Sequence, residues 1–172
     1  MMRNLTINHY TDVFWINYPR HNFLKEEVVE YLETFVDVQN KQTNVKATMT
    51  DWNINSHEIS NLKNYIIDFL NSKYPFVLAR NKKFQFNSFW GNIYRKDEFA
   101  LEHNHLFNTF SIVYFLKVKR SDSPLIFLPS HTKITPNEGS FIIFPSYLNH
   151  KVPKHNSKDS VRITLSGNIE CT

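Results

Sequence analysis

The chain has 172 residues, a formal net charge of +4, a hydrophobic share of 41% and an aromatic share of 15% that includes 15 Phe and 8 Tyr. A length within the usual domain range of about 100–200 residues argues against a linker-joined pair, and this apolar content excludes a disordered chain. No stretch approaches the roughly 20 apolar residues of a membrane span, and the start MMRNLTINHYTDVFWINY lacks the apolar core of a secretory signal, so a cytoplasmic location is expected.

In chain order, Leu24, Val28, Val29, Leu32, Phe35 and Val36 recur at three- and four-residue steps, which predicts an amphipathic helix over residues 23–39. A second helix follows. Ser56 is its expected cap, Glu58 favours its first turn, Ile59, Leu62, Ile66, Phe69 and Leu70 form its buried stripe, and Pro75 closes it. From residue 84 the pattern changes to short runs rich in Phe, Ile, Val, Tyr and Thr, giving expected strands at 84–94, 110–118, 124–129, 140–144 and 160–168. Helices followed by strands suggest one domain over 1–172: helical support over about 1–83, and a β-sandwich or jelly roll over about 84–172 with the helices on one face.

The only cysteine, Cys171, leaves no internal disulfide, so packing alone must hold the fold, in agreement with a reducing compartment. Lysines and arginine gather at Lys117-Val118-Lys119-Arg120 and at Lys151, Lys154 and Lys158. A basic patch of this kind fits either an anionic partner such as nucleic acid or a solvated surface, and the second is the commoner case.

His103-Asn104-His105 places two imidazoles at positions i and i+2, which in an extended chain share a face and can reach one metal ion, although such pairs also occur on surfaces. His150 follows the apolar run Phe141-Ile142-Ile143-Phe144-Pro145 and is read either as a third ligand or as a hydrogen-bonded core histidine. Pro153 to Lys158 reads as a turn. A hairpin centred near Asn156 would set Arg162 directly across from His150 as a cross-strand pair. Arg162 and Thr164 share one face of their strand and Val161, Ile163 and Leu165 the other. If the arginine face is interior, the guanidinium requires an anion, and a carboxylate ligand meets that need. Asn92 and Tyr94 repeat the i, i+2 spacing upstream, with sheet-edge hydrogen bonding as their plain role.

Taken in order, FWGNIYRKDEFALEHNH, FSIVYFLKV, EGSFIIFPSYLNHKVP and RITLSGN resemble the small 2-oxoglutarate-dependent Fe(II) oxygenases of bacteria and their viruses, over about residues 88–168. That group carries W-x-N, H-x-H, S-G-V-Y-Y, P-x-x-G, F-P-S-x-x-x-H and R-I-S-x-x-x-N in this order, and Met49-Thr50-Asp51-Trp52 extends the likeness toward the N-terminus. The resemblance implies a double-stranded β-helix, with Fe(II) on His103, His150 and either His105 or a carboxylate from Asp97, Glu98 or Glu102. It further implies 2-oxoglutarate bound by Arg162 and Thr164, with Asn92 and Tyr94 at the cosubstrate, O2 as the second cosubstrate, and a hydroxylated peptidyl or other C–H substrate, nucleic acid being the other class in play.

The sequence departs from the group at Ile112, where glycine is expected, and at Leu128, where an acidic residue is expected before proline. Two other readings stand beside it: a cupin-like three-histidine dioxygenase without 2-oxoglutarate, and a non-catalytic binding or structural module that keeps the fold.

Overall fold

The structure, a computed structural model, describes residues 11–35, 43–156 and 161–172. Its elements in chain order are β1 (Phe14–Asn17), α1 (His21–Thr34), β2 (Val45–Lys46), β3 (Thr48–Met49), α2 (His57–Lys73), α3 (Pro75–Ala79) and β4 (Phe84–Tyr94). There follow β5 (Phe99–His103), β6 (Phe110–Lys117), β7 (Leu125–Phe127), β8 (Thr132–Ile134), β9 (Ser140–Pro145), β10 (His150–Val152) and β11 (Arg162–Cys171).

Leu24, Val28 and Leu32, one per turn, are the fully covered stripe of α1. This helix stops at Thr34, where Phe35 turns to extended backbone with ψ 128°. The expected continuation over 36–39 lies outside the described residues. In α2 the Ser56 hydroxyl accepts the Ile59 amide at 3.2 Å, as a helix cap should. Phe69 is only half-buried, set edge-on to Phe14. Pro75 does more than close α2: it opens α3, since a residue without an amide hydrogen fits the first helical position.

Two antiparallel sheets make the rest. The larger runs β1-β9-β6-β11-β4-β3 and the smaller β2-β5-β10-β7-β8, face to face as in a jelly roll, the double-stranded β-helix. The outer face of the large sheet carries α1 and α2. Leu24, Leu32, Leu62 and Ile66 from the helices meet Phe89, Ile93, Ile112, Phe141, Ile143, Ile163 and Leu165 from the strands. The inner face looks across a second, smaller apolar cluster at β5, β7 and β10, with Phe115, Ile142 and Phe144 against Phe127 and Val152. Because both faces are covered, β6, β9 and β11 are buried nearly throughout; β6 and β9 read as largely continuous apolar runs in the sequence, whereas β11 alternates polar and apolar residues.

The helical layer is pulled close at Gly91, whose amide donates to the Thr50 hydroxyl at 2.8 Å. A Cβ there would lie 3.0 Å from a methyl of Leu32 and 3.1 Å from that of Thr50, so only glycine fits without displacement. Arg20 reaches from the start of α1 to the buried carboxylate of Glu58 and holds it below the ordinary carboxylate range. Among the described residues, no helix is long and apolar enough to cross a membrane.

Candidate active site

β5 and β10 are short neighbours in the smaller sheet, and their register sets His150 directly opposite His103. Strict alternation would send Ala100 and His103 to opposite faces. The ladder instead pairs Val152 with Ala100 and His150 with His103, so the β5 side carries one extra residue, a bulge. It brings both Ala100 and His103 onto the cavity and leaves Leu101 and Glu102 outside.

His105 follows beyond the strand end. The three imidazoles pack together, with ring centroids 4.4 Å apart for His103 and His150, 5.0 Å for His103 and His105, and 5.3 Å for His105 and His150. One ring nitrogen of each lies within 4.8 Å of the other two. His103 Nδ1 donates to Leu101 O at 2.7 Å and His150 Nδ1 to Leu148 O at 2.9 Å. A carbonyl only accepts, so the proton of each ring sits on Nδ1 and the Nε2 lone pair is left for another partner.

Burial, reinforced by the neighbouring rings, pushes His150 down to about 3 and His105 down to about 4, and burial also lowers His103. All three are neutral at physiological pH, the form that binds a cation.

Of the carboxylates considered with them, Glu102 accepts the Asn149 side-chain amide at 3.1 Å on the outside of the sheet, and Glu98 accepts the Arg95 amide. Asp97 pairs with Lys96 at 3.7 Å. Among the described residues, none of the three joins the imidazole cluster.

Arg162 opens β11 and is 1% exposed, so its guanidinium is inside the protein. It lies 4.7 Å from the centroid of the Tyr94 ring. By distance and angle none of its three nitrogens has a hydrogen-bond acceptor among the described residues; burial lowers its pKa, offset in part by the Tyr94 phenol and by Asp122. Thr164 and Ser166 follow on the same face, with Ile163 and Leu165 in the helix-side core, so the alternation expected from the sequence holds with the polar face inward.

The hairpin expected between His150 and Arg162 does not form. Arg162 pairs with Tyr94 in the larger sheet, whereas His150 pairs with His103 and Phe127 in the smaller one. The connection leaves β10 after Val152 and its backbone bonds to another segment: His155 N donates to Glu98 O and Asp97 N to His155 O, each at 2.8 Å. Its continuation, with Lys158 and the expected strand start at residue 160, lies outside the described residues. Arg162 and His150 thus line one cavity from opposite sheets.

Asn92 and Tyr94 are interior rather than at a sheet edge, because β3 covers that side of β4. The Asn92 amide is engaged at both ends, accepting Trp90 Nε1 at 3.0 Å and donating to Ser166 Oγ at 2.9 Å. Trp90, Ser111, Phe144 and Ser166 also line the cavity; the first three stand in the W-x-N, S-G-V-Y-Y and F-P-S-x-x-x-H elements, which assign them no site role. Ser166 was within reach, standing four residues beyond Arg162 on the same strand face.

A sequence profile of the family described as "Putative 2OG-Fe(II) oxygenase" matches residues 127–168, the stretch that contains His150, Arg162 and Thr164. No curated protein sequence matches the chain. Among solved structures, a viral collagen prolyl hydroxylase of Paramecium bursaria Chlorella virus-1, in its 2OG complex, is similar at a TM-score of 0.66 and 18% identity over 91% of this chain and 94% of that one. A prolyl-4-hydroxylase of Pseudomonas putida is similar at a TM-score of 0.71 and 16% identity, covering 93% and 92% of the two chains. A prolyl hydroxylase of Trichoplax adhaerens, in complex with a hypoxia inducible factor oxygen degradation domain peptide, is similar at 0.60 and 13% identity, covering 92% and 83%.

Proposed function

We infer from its matched segment, its fold and its histidine cluster that this chain is a 2OG-Fe(II) oxygenase, a dioxygenase that hydroxylates a peptidyl C–H bond with His103, His105 and His150 as its iron ligands. The observation that carries the assignment is the pairing, in one cavity, of three neutral imidazoles with a buried guanidinium that lacks an acceptor among the described residues. The donors fit the iron, because the two hydrogen-bonded rings keep Nε2 free and all three stay unprotonated at neutral pH. The guanidinium fits the cosubstrate, because a fork of N–H donors matches a carboxylate in two parallel bonds.

When bound, Fe(II) and 2-oxoglutarate supply the oxidising chemistry, by which one oxygen atom of O2 enters a C–H bond and the other goes into succinate as CO2 is released. The residues of the chain position and enclose. His103 and His150 are fixed by their strands, and the carbonyls of Leu101 and Leu148 set their tautomers. Arg162 holds the distal carboxylate of the cosubstrate with Thr164 beside it on the same face. The Tyr94 ring packs against the guanidinium and helps to hold it, and burial keeps its phenol protonated. Asn92, clamped between Trp90 and Ser166, forms the wall next to that slot. Leu125, Val152 and Phe144 exclude water from the cavity.

A peptide substrate is supported by the similar structures, two named as prolyl hydroxylases of collagen or of prolyl-4 type and one holding a peptide fragment. The net charge of +4 suits a neutral or acidic segment better than a basic one. With one cysteine and a reduced metal to keep, we place the protein in a reducing compartment such as the cytoplasm.

The deciding experiment is anaerobic reconstitution with Fe(II), followed by O2 and 2-oxoglutarate with succinate measured. Succinate that requires both metal and 2-oxoglutarate is the expected result. Oxygen uptake independent of 2-oxoglutarate would point to a three-histidine dioxygenase of another kind, and failure to bind Fe(II) to a non-catalytic module.

A further inference from the structure

His103 and His150 need nothing beyond the sheet to hold them at bonding distance, since they are directly opposed on hydrogen-bonded strands. His105 has no such support. It lies two residues past the last residue of β5, where the ladder has ended.

Its position is fixed instead by bonds of the loop, among them His105 O accepting the Asn108 amide at 3.2 Å, and by side chains on either side of it. The Asn104 carbonyl oxygen accepts the Leu106 amide at 3.3 Å, folding the backbone around His105 as an Asx turn. The Asn104 amide nitrogen donates to the Asn149 carbonyl oxygen at 2.7 Å. Asn149 in turn donates to Glu102 Oε1 at 3.1 Å, and its main-chain oxygen accepts Leu128 N at 2.8 Å. His105 N adds a bond to Ser146 O at 2.8 Å. A continuous side-chain chain, Asn104 to Asn149 to Glu102, therefore joins the residues that immediately precede His105, His150 and His103. None of the three faces the cavity itself.

The geometry points to Asn104 and Asn149 as positioning residues for the metal site. They clamp the loop bearing His105 to the turn before His150, so that the third imidazole meets the strand-borne pair at a set separation. Without the clamp, the loop must be ordered at the moment of metal binding, and the conformational entropy lost then weakens affinity. This rests on the reading of the three histidines as iron ligands. Outer residues that orient metal ligands typically change affinity by about 10–100-fold when removed.

A bond that served only the fold would lower the melting temperature of the metal-free protein and leave the affinity of the folded protein alone. A positioning bond changes affinity, and only while His105 is present. The test is anaerobic titration of the full chain with Co(II), read by its visible absorption and by calorimetry, with circular dichroism on the metal-free protein. Asn149→Ala and Asn104→Ala are each expected to weaken Co(II) binding about tenfold, and the double variant no further than the weaker single one. In a His105→Ala background, Asn149→Ala is expected to have no additional effect.

Unchanged Co(II) affinity in a folded Asn149→Ala protein overturns the proposal. So does a full additional loss in the His105→Ala background, which would mean the bond acts on the site as a whole. Should Asn149→Ala prove unfolded by circular dichroism, Asn104→Ala carries the same test. A wild-type protein that binds no Co(II) defeats the metal reading itself, whereas wild-type binding with variants that match it defeats the positioning role alone.

Discussion

A guanidinium that is 1% exposed and has no acceptor among the described residues, as at Arg162, is expected to strain the empty protein and relax when an anion arrives. That gives a prediction with two opposite signs. Arg162→Met should raise the melting temperature of the protein without cosubstrate, because an apolar side chain of similar volume replaces an unpaired buried charge, typically worth about 1–4 kcal/mol. It should also lower 2-oxoglutarate affinity about 100-fold, or about 2.8 kcal/mol, by removing a paired charge-assisted contact. Fe(II) affinity should change little, and calorimetric titrations with each ligand check the difference. Equal loss of both would argue against the assignment. His103→Ala should leave no stoichiometric metal, as measured by elemental analysis after anaerobic loading. At this scale the sequence was informative because chemistry depends on residue type: the order of His103, His105, His150 and Arg162 marked the cavity. The route from His150 to Arg162 was misread because alternation shows which residues share a face but not which strand lies opposite.

The elements are held by local devices that can be removed singly. Ser56→Ala deletes the acceptor for Ile59 N at the start of α2 and should cost about 1 kcal/mol of stability, measured by denaturant unfolding, with little effect on metal binding. Gly167→Ala should cost more, about 1–3 kcal/mol. Its Cβ would lie 2.7 Å from the Phe89 ring, 2.9 Å from Phe86 and 3.1 Å from the Ser88 carbonyl, and the last cannot yield without distorting the β4–β11 ladder. Long, evenly patterned elements were legible: β4 runs from Phe84 to Tyr94 as expected, and α2 starts at its predicted cap. The two strands that carry the histidines were not. β10 has 3 residues, too few to show a period, and β5 breaks its alternation with a bulge and carries Glu102. Short strands of this kind are defined by the partners they meet, which a single sequence does not display.

Among the described residues, four imidazoles are held below their ordinary value of 6.5: His21 at the start of α1, and His103, His105 and His150 in the cavity, each chiefly by burial. Between pH 6.5 and about 3 the unfolded chain takes up protons that the folded chain refuses, so stability falls as pH falls through that window. Well above 6.5 both states are neutral and the effect vanishes. Glu58, lowered by Arg20, adds loss of the same sign as its carboxylate is protonated further down. The metal-free protein should therefore melt at steadily lower temperature from pH 7 to pH 5, in calorimetric scans at constant ionic strength. A flat or rising profile would contradict the buried, uncharged state of these rings.

Three uncharged nitrogens with no anionic oxygen among the described residues form a donor set that favours copper, nickel and zinc over iron on intrinsic affinity. Among the described residues no carboxylate joins the three imidazoles to shift that order toward iron. Protein produced in ordinary medium should accordingly emerge loaded with whichever late divalent ion was most available, and be inert until that ion is stripped. Occupancy by iron is then a matter of supply inside the cell rather than of discrimination by the polypeptide.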